Sequence, residues 1–407
     1  MCPRPSCEPT RIDTRSAGSL ECGIGDRMPK RCLPDMMENA FVYTEKYGDF
    51  DYGPSHPLRI ERLRMTRELC RAYGLLDLPG VSLVEAESAV EDAVLGFHTA
   101  SYVNALKRAS RGRLSGYYTH GIGPGDNPMF DGLWDWSLLH TGASLQCADL
   151  ILGGACRTAF NIAGGLHHAA SYRASGFCYV NDPVIAIQRL VGAGRRVLYL
   201  DIDAHHGDGV QWAFYEDPRV LTVSFHQDGR TLFPGTGRMT ETGREAGEGF
   251  SVNVPMMPGT DDEVFWAGFQ AVVPSLTASF DPDVIVTQLG VDTFRDDPLA
   301  DLELTTNSLS GVVAFLRDLE KPWVALGGGG YDVDNVARAW TLAWAIMNGV
   351  DLPEELPEAV RGRIRGGGSG ALLRDPAHRS RRHDACARFM DTCVDHLERN
   401  VLQRAKR

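Results

Sequence analysis

Short apolar runs that stop at polar or glycine-rich loops recur through the middle of the chain. Four of them are rich in aliphatic residues, and side chains capable of chemistry follow each one: 158–163, 197–200, 284–289 and 323–326. Continuous apolar runs of this length are typical of strands that are buried on both faces. The pattern therefore predicts parallel strands with reactive residues at their carboxyl ends.

Amphipathic segments lie around these runs. In 57–73 apolar residues recur at the spacing of one helical face, and a second helix is predicted over 100–108. The segment 260–263, Thr-Asp-Asp-Glu, has the pattern of a capping box ahead of a third helix, and a fourth helix follows Tyr331. Buried strands that alternate with such helices predict an α/β fold. We expect a single domain with a central, mostly parallel sheet flanked by helices and a site at the carboxyl ends of the strands.

Composition divides the chain into three parts. Residues 1–35 are rich in Pro, Arg, Ser, Gly and Cys without periodicity, which predicts a flexible N-terminal extension. The patterned region 36–355 is the expected main domain. Residues 356–407 are rich in Gly and Arg, and we expect them to form a helix on the surface or a solvated tail.

Bulk properties exclude several classes of protein. The chain has 407 residues and 43% hydrophobic content, without an apolar run of the roughly 18 residues that a membrane-spanning helix needs and without a signal-like N-terminus. We therefore expect a soluble, cytoplasmic protein. The net charge of -12 argues against direct binding to nucleic acid. Ten cysteines without a CxxC pair predict reduced thiols rather than disulfides or a structural zinc site.

The densest group of ionisable residues follows the second apolar run. It comprises Asp201, Asp203, His205, His206 and Asp208. Buried charges need a partner or a metal ion. Asp203 and His205 can offer an oxygen and a nitrogen to one divalent ion, and Asp292, after another run, can add the third ligand. Three protein ligands with an open position describe a catalytic zinc. For any single acid, helix capping or a loop ion pair remains an alternative.

Two further loops carry candidate catalytic groups. His167 and His168 follow two glycines, and in a turn both can reach one pocket for general acid–base chemistry. Asp201 and Asp208, which are not needed as metal ligands, are available to set their tautomers. Tyr331 follows four glycines and could donate to an oxyanion. A simple turn or a phosphate-binding loop is the alternative, but the loop lacks the Lys and Ser/Thr of a P-loop.

In combination these motifs resemble the zinc-dependent histone deacetylases and their prokaryotic acetoin-utilisation relatives. The resemblance extends over about 41–350 and rests on six short segments: GGLHHA at 164–169, GFCYVND at 176–182, DIDAHHGDG at 201–209, FPGTG at 233–237, GVD at 290–292 and GGGGY at 327–331. It implies an arginase/deacetylase-like fold with 36–355 as the catalytic domain. The implied activity is hydrolysis of the acyl-lysine amide in a protein, or of another acetylated amine, with release of acetate.

The resemblance also implies roles for individual residues. The zinc ligands, which could also hold iron(II), would be Asp203, His205 and Asp292. The catalytic residues would be His167 with Asp201, His168 with Asp208, and Tyr331. A potassium ion would lie among Asp201, Asp203, His205, Ser224 and Phe225. Substrate would be bound by Gly176, Phe177, Phe233, Asp126 and Leu299, and Arg62 would line a product-exit path. Leu232 stands where many relatives have a second aromatic residue, which predicts a slightly wider channel.

Three alternatives are weighed against this reading. A two-manganese, arginase-like ureohydrolase would need further carboxylates, but Asp208 is three residues after His205 and Phe294 is two residues after Asp292. A catalytically dead acyl-lysine-binding relative would have lost a ligand or the tyrosine, and none is lost. An acetylpolyamine amidohydrolase shares all the core chemistry and stays open, and the pattern gives no indication of the oligomeric state.

Overall fold

The structure, a computed structural model, describes residues 38–112, 119–364 and 372–402. The extension predicted for 1–35 lies outside the described residues. The strands are β1 (Asn39–Tyr43), β2 (Val81–Glu85), β3 (Thr158–Asn161), β4 (Val197–Asp201), β5 (Val220–Gln227), β6 (Ser251–Met256), β7 (Val284–Gln288) and β8 (Trp323–Leu326). The helices are α1 (Glu61–Ala72), α2 (Glu91–Leu95), α3 (Ala100–Ala109), α4 (Leu133–Leu152), α5 (Asp182–Gly192), α6 (Asp208–Ala213), α7 (Asp262–Phe280), α8 (Thr306–Asp318), α9 (Val333–Met347) and α10 (His383–Leu397).

All eight strands belong to one sheet with the order β2-β1-β3-β8-β7-β4-β5-β6, and all its pairings are parallel. The predicted α/β fold is confirmed. The order places β3, β8, β7 and β4 side by side in the middle of the sheet. These are the four strands predicted from the apolar runs, so their reactive carboxyl ends meet at one edge.

Tryptophans fill the core around the central strands. Trp323, Trp340 and Trp344 are almost completely buried. Indole N–H groups that are buried usually find an acceptor. The Trp323 Nε1 donates to Thr287 Oγ1 at 2.9 Å, and the Trp340 Nε1 donates to the Leu289 carbonyl at 2.8 Å. The apolar face of α9 thus anchors the loop that leaves β7.

The helix predicted after 260–263 is confirmed, but the capping residue was assigned wrongly. The cap of α7 is Asp261, whose Oδ1 accepts from the Val264 N–H at 3.2 Å. Thr260 instead donates its hydroxyl to the Met257 carbonyl at 2.8 Å. The other Asp261 oxygen accepts from Ser380 N at 2.9 Å and lies 2.8 Å from His383 Nδ1. These distant partners, which local sequence does not reveal, favour Asp261.

The C-terminal segment contributes α10 to the folded body. One face of this helix is buried, and it consists of Cys386, Met390, Cys393 and Leu397. The helix packs against α7 and β6. A Cβ placed on Gly268 of α7 would lie 2.3 Å from the Met390 sulfur, so a glycine there lets the two helices approach. Among the residues that the structure describes, no helix is long and apolar enough to cross a membrane.

Candidate active site

Three potential metal ligands converge where β4 and β7 end. Asp203 and His205 follow β4 and Asp292 follows β7, and their ligand atoms all lie within 4.8 Å of one another. The strands are hydrogen-bonded neighbours, which is why residues so distant in sequence meet. All three side chains are buried. Gln288 Nε2 donates to Asp203 Oδ2 at 2.6 Å, and the Ala204 N–H donates to Asp292 Oδ1 at 2.8 Å. The carboxylates are thus held in place.

The charges of this cluster fit a divalent cation. Burial and the negative charge of Asp203 raise the pKa of Asp292 to about 6. Burial opposes protonation of His205, but its hydrogen bonds to Asp203 and Asp292 outweigh that effect and raise its pKa to about 10. Buried carboxylates with too little positive charge around them are stabilised by a metal ion. Gly329 keeps the space open, because a Cβ there would lie 2.2 Å from Asp292 Oδ2. One imidazole and two carboxylates suit zinc.

The two adjacent histidines are each held by one carboxylate. His167 Nδ1 lies 2.7 Å from Asp201 Oδ2, and His168 Nδ1 lies 2.7 Å from Asp208 Oδ1. The two Nε2 atoms lie 3.0 Å apart. Asn181 stabilises the turn that carries the two histidines, since its amide donates to the carbonyls of His167 and Ala169. With both Nδ1 atoms engaged, the Nε2 atoms are the ones available for proton transfer.

The pKa values of the two histidines diverge. Burial lowers the pKa of His167, but the charges of Asp201 and Asp203 outweigh it and raise the pKa to about 9. Burial and the neighbouring His167 lower the pKa of His168. One imidazole of the pair therefore tends to carry a proton and the other tends to be neutral. Titratable neighbours whose pKa values are pushed apart are typical of acid–base sites.

Tyr331 is held through the peptide unit that precedes it. Arg62 Nη1 donates to the Gly330 carbonyl at 2.8 Å, and Asp297 Oδ2 accepts from the Tyr331 N–H at 2.7 Å. The peptide bond between Gly330 and Tyr331 thus lies between a buried cation and a buried carboxylate. Gly330 has φ +134°, a conformation that side chains rarely adopt. Burial, followed by the charge of Asp292, raises the pKa of Tyr331, so its phenol stays protonated and can donate.

Two aromatic rings form walls above these groups. The Phe177 ring lies 5.6 Å from the Tyr331 ring, and the Phe233 ring lies 5.1 Å from the His168 ring. Phe177 has φ +67°, a strained value for a residue with a side chain. The Tyr52 hydroxyl, which donates to the Phe177 carbonyl at 3.0 Å, helps to maintain it. The rings flank the approach to the metal ligands, since Phe233 lies 6.3 Å from the His205 ring.

Next to the Phe177 wall, Gly176 allows close packing, since a Cβ there would lie 2.4 Å from the His168 ring. The Leu299 N–H donates to Asp297 Oδ1 at 3.0 Å, so this predicted rim residue shares a carboxylate with Tyr331. Asp126 is exposed, and its backbone carbonyl lies 3.2 Å from Nε2 of His56, whose ring lies 4.5 Å from that of Phe177. The substrate-binding role of Asp126 stays a prediction.

Two of the residues predicted around a potassium ion, Ser224 and Phe225, lie on β5, next to the strand that leads to the metal ligands. Ser224 is opposite Asp201 in the register of β4 and β5. The Ser224 hydroxyl bonds to His226 Nδ1 at 2.9 Å. The Phe225 side chain points away into the core, where its ring lies 5.4 Å from that of Phe265. The potassium site, like the product-exit role of Arg62, stays a prediction.

The family follows from a comparison of the whole chain with known proteins. The model described as "Histone deacetylase domain" matches residues 56–347. The chain belongs to the histone deacetylase family. The resemblance predicted from the six motifs is thereby confirmed, and the match ends before α10.

Individual members of the histone deacetylase family support this assignment. The chain is 38% identical over 331 residues to acetoin utilization protein AcuC of Bacillus subtilis, which covers 79% of this chain and 85% of the relative. It is 37% identical over 326 residues to histone deacetylase RPD3 of Saccharomyces cerevisiae, and the aligned residues cover 79% of this chain and 75% of RPD3. The crystal structure of a homologue from Aquifex aeolicus superimposes with a TM-score of 0.80 at 32% identity, covering 88% of this chain and 100% of that one.

Several residues of this histone deacetylase site were not found from the sequence. Asp297, Gln288 and Tyr52 act through backbone or carboxylate contacts. The only local signal for Asp297 is its place between Asp292 and Leu299 in an acidic loop. Tyr52 looks like an ordinary core residue, whereas Gln288 is a polar residue inside the apolar run 284–289, and that is its one local signal.

Proposed function

We propose that the protein is a metal-dependent lysine deacetylase that hydrolyses the acetyl or short acyl amide of a lysine side chain in a protein. One observation carries this proposal. The Asp203, His205 and Asp292 cluster, the histidine pair and Tyr331 face one small volume beneath two aromatic rings. Relatives named histone deacetylase and acetoin utilization protein support the reaction class.

Zinc is the ion that this donor set favours, and iron(II) fits the same ligands. When bound, the ion polarises the amide carbonyl and lowers the pKa of a water molecule toward about 7. The two-manganese alternative needs a second set of ligands. Within 38–112, 119–364 and 372–402, one ligand group of this kind is present, and Phe294 occupies a position where an extra carboxylate would be needed.

The chain's own groups then divide the proton transfers. Nε2 of His168 or His167 accepts the proton of the attacking water, while Asp201 and Asp208 stabilise the imidazolium that forms. The imidazolium passes the proton to the leaving amine. The Tyr331 hydroxyl donates to the developing oxyanion, and the clamp on its backbone orients it. Acetate and a free amine result.

The two aromatic rings limit which side chains can enter the channel. The Phe177 and Phe233 rings, which contact Tyr331 and His168, suit the aliphatic stem of a lysine passing between them. Such a stem carries no polar group that needs a partner inside the channel. An acetylpolyamine has a similar aliphatic stem. The two functions therefore differ in the part of the substrate that stays outside the channel.

A side-by-side assay tests the proposal. The purified full chain is assayed with acetyl-lysine peptides and with acetylated polyamines, each with and without a chelator, and Tyr331→Phe serves as the matched inactive control. We expect chelator-sensitive release of acetate from the peptides and very little from the control. Faster turnover of acetylpolyamines than of every peptide would instead support the polyamine function. Ureohydrolase activity with two manganese ions per chain would overturn the deacetylase assignment.

A further inference from the structure

A groove of about 900 Å³ lies beside the mouth of the channel. One part of its lining comes from the two loops that carry the rim. Thr231 is two residues before Phe233, and Pro298 and Ala300 flank Leu299. The opposite part of the lining comes from the segment that leads into α10. A polypeptide whose lysine enters the channel would therefore pass close to this groove.

Three arginines line the groove, and all are exposed: Arg295, Arg381 and Arg382. We refer to it as the arginine groove. Arg295 lies 3.6 Å from Asp296, whereas neither Arg381 nor Arg382 makes an ion pair with a described residue. The adjacent Arg379 differs from them, because it is paired with Glu263 at 2.7 Å and lies outside the lining.

Three acids line the groove beside the three arginines, but two of these acids are engaged by other groups. Glu303 is engaged by His378, whose Nε2 lies 2.5 Å away. Asp297 is buried and accepts from the Tyr331 and Leu299 N–H groups. Asp301 is the exposed acid of the lining. Two guanidinium groups without a described partner are notable in a chain whose net charge is -12.

We propose that the arginine groove binds acidic residues that flank the acyl-lysine in a polypeptide substrate. This proposal rests on the proposed deacetylase function and adds a substrate class to it. Guanidinium groups recognise carboxylates through paired hydrogen bonds, and those of Arg381 and Arg382 have no ion-pair partner among the described residues. Arg381 and Arg382 lie beyond the residues matched by the family model, so the preference would belong to this chain's own C-terminal segment.

Matched peptides test the idea on the full chain. Each peptide has one acetyl-lysine, and its flanking residues are either Asp and Glu, or Asn and Gln, or Lys. We expect kcat/KM for the acidic peptide to exceed that for the neutral one by about fivefold at low salt, and the ratio to fall toward one at high salt. The double variant Arg381→Glu, Arg382→Glu should lose or reverse the preference. A control with the same charge change, Arg388→Glu, Arg399→Glu, lies outside the groove and should keep it.

Two further measurements separate the possible failures. An acetyl-lysine amide without flanking residues should be deacetylated at the same rate by wild type and by the groove variant. If wild type does not deacetylate this small substrate, the deacetylase function alone is overturned. Binding of a fluorescently labelled acidic peptide to Tyr331→Phe measures the affinity of the groove without turnover. The groove proposal is overturned if wild type does not distinguish acidic from neutral peptides, in rate or in binding, or if the groove variant still does.

Discussion

Asp297 accepts a hydrogen bond from the backbone N–H of Tyr331 at 2.7 Å, and its second oxygen accepts from the N–H of Leu299 at 3.0 Å. One buried carboxylate therefore connects the backbone of Tyr331 to Leu299, the residue predicted to lie at the rim of the channel. On the other side of the same peptide unit, Arg62 donates to the Gly330 carbonyl. The position of the Tyr331 hydroxyl thus depends on two charged groups that hold the backbone before it.

Replacement of Asp297 by Asn should lower turnover more than binding. An amide supplies one acceptor where the carboxylate supplies two, so one of the two N–H groups loses its partner and the Tyr331 loop relaxes. Small misplacement of a reacting group is costly, and we expect kcat to fall about tenfold with KM nearly unchanged. Steady-state kinetics and zinc content measure the effect. Asp301→Asn, an exposed neighbour, is the control, and an unchanged kcat in Asp297→Asn would contradict the orienting role.

The hydroxyl of Tyr331 is predicted to act in the reaction and not in metal binding. Loss of one oxyanion donor costs on the order of a hundredfold in turnover. Tyr331→Phe should therefore be nearly inactive, with its metal content and melting temperature close to those of wild type. Elemental analysis and acetate release check both expectations. A variant with more than a third of the wild-type rate would exclude the assigned role.

Gly329 is predicted to be required for the metal ligands. A Cβ at this position would lie 2.2 Å from Asp292 Oδ2 and 2.6 Å from Asp203 Oδ2. In Gly329→Ala the carboxylates must move apart, and we expect less than half of the wild-type zinc content in purified protein. Gly48→Ala is the matched control, because no atom lies within 4 Å of the added methyl group. Equal zinc content in the two variants would argue against the proposed ligand set.

Removal of the metal should abolish activity reversibly. Since the three ligands lie within 4.8 Å of one another in a preformed cluster, we expect one divalent ion per chain. Dialysis against a chelator should remove the activity, and one equivalent of zinc or iron(II) should restore it. Elemental analysis alongside the assay gives the stoichiometry. Recovery that needs two equivalents of manganese would favour the arginase-like alternative.

The contact between α7 and the C-terminal segment should make stability depend on pH. Burial raises the pKa of Asp261, but the Ser380 N–H, His383 and the Val264 N–H outweigh it, so the pKa is lower than usual. A carboxylate with a lowered pKa stabilises the folded state above its unfolded pKa, and the contribution disappears as the pH falls through the folded value. Since Asn caps a helix about as well as Asp, the loss in Asp261→Asn should come from the contacts with Ser380 and His383 and should be about 1 kcal/mol at pH 7. This difference should shrink below roughly pH 4.

Urea unfolding at several pH values measures that difference. Asp384→Asn serves as the control, because Asp384 is exposed and its nearest cation, Arg379, is 3.7 Å away. We expect the control to match wild type at every pH. A constant difference between wild type and Asp261→Asn from pH 7 to pH 3 would exclude the titration of Asp261 as its cause.

The local pattern was informative wherever structure depends on neighbours along the chain. The predicted helices over 57–73 and 100–108 correspond to α1 and α3, and the four apolar runs correspond to β3, β4, β7 and β8. In 260–263 the same kind of reasoning identified the helix but not its cap, because Ser380 and His383 favour Asp261 over Thr260. Local propensity operates over a few residues, whereas these partners are more than a hundred residues away.

By itself, the sequence determined the alternation of strands and helices and the identities of the reactive groups, since both follow from side-chain chemistry and short-range spacing. Only the tertiary structure decided which groups meet. The strand order sets β7 beside β4, and this brings Asp292 to Asp203 and His205. It also decided that Asp297 holds Tyr331 and that Arg381 and Arg382 line one groove with Pro298 and Ala300. These contacts depend on the packing of distant segments, which is a property of the whole chain and leaves no periodic signal along it.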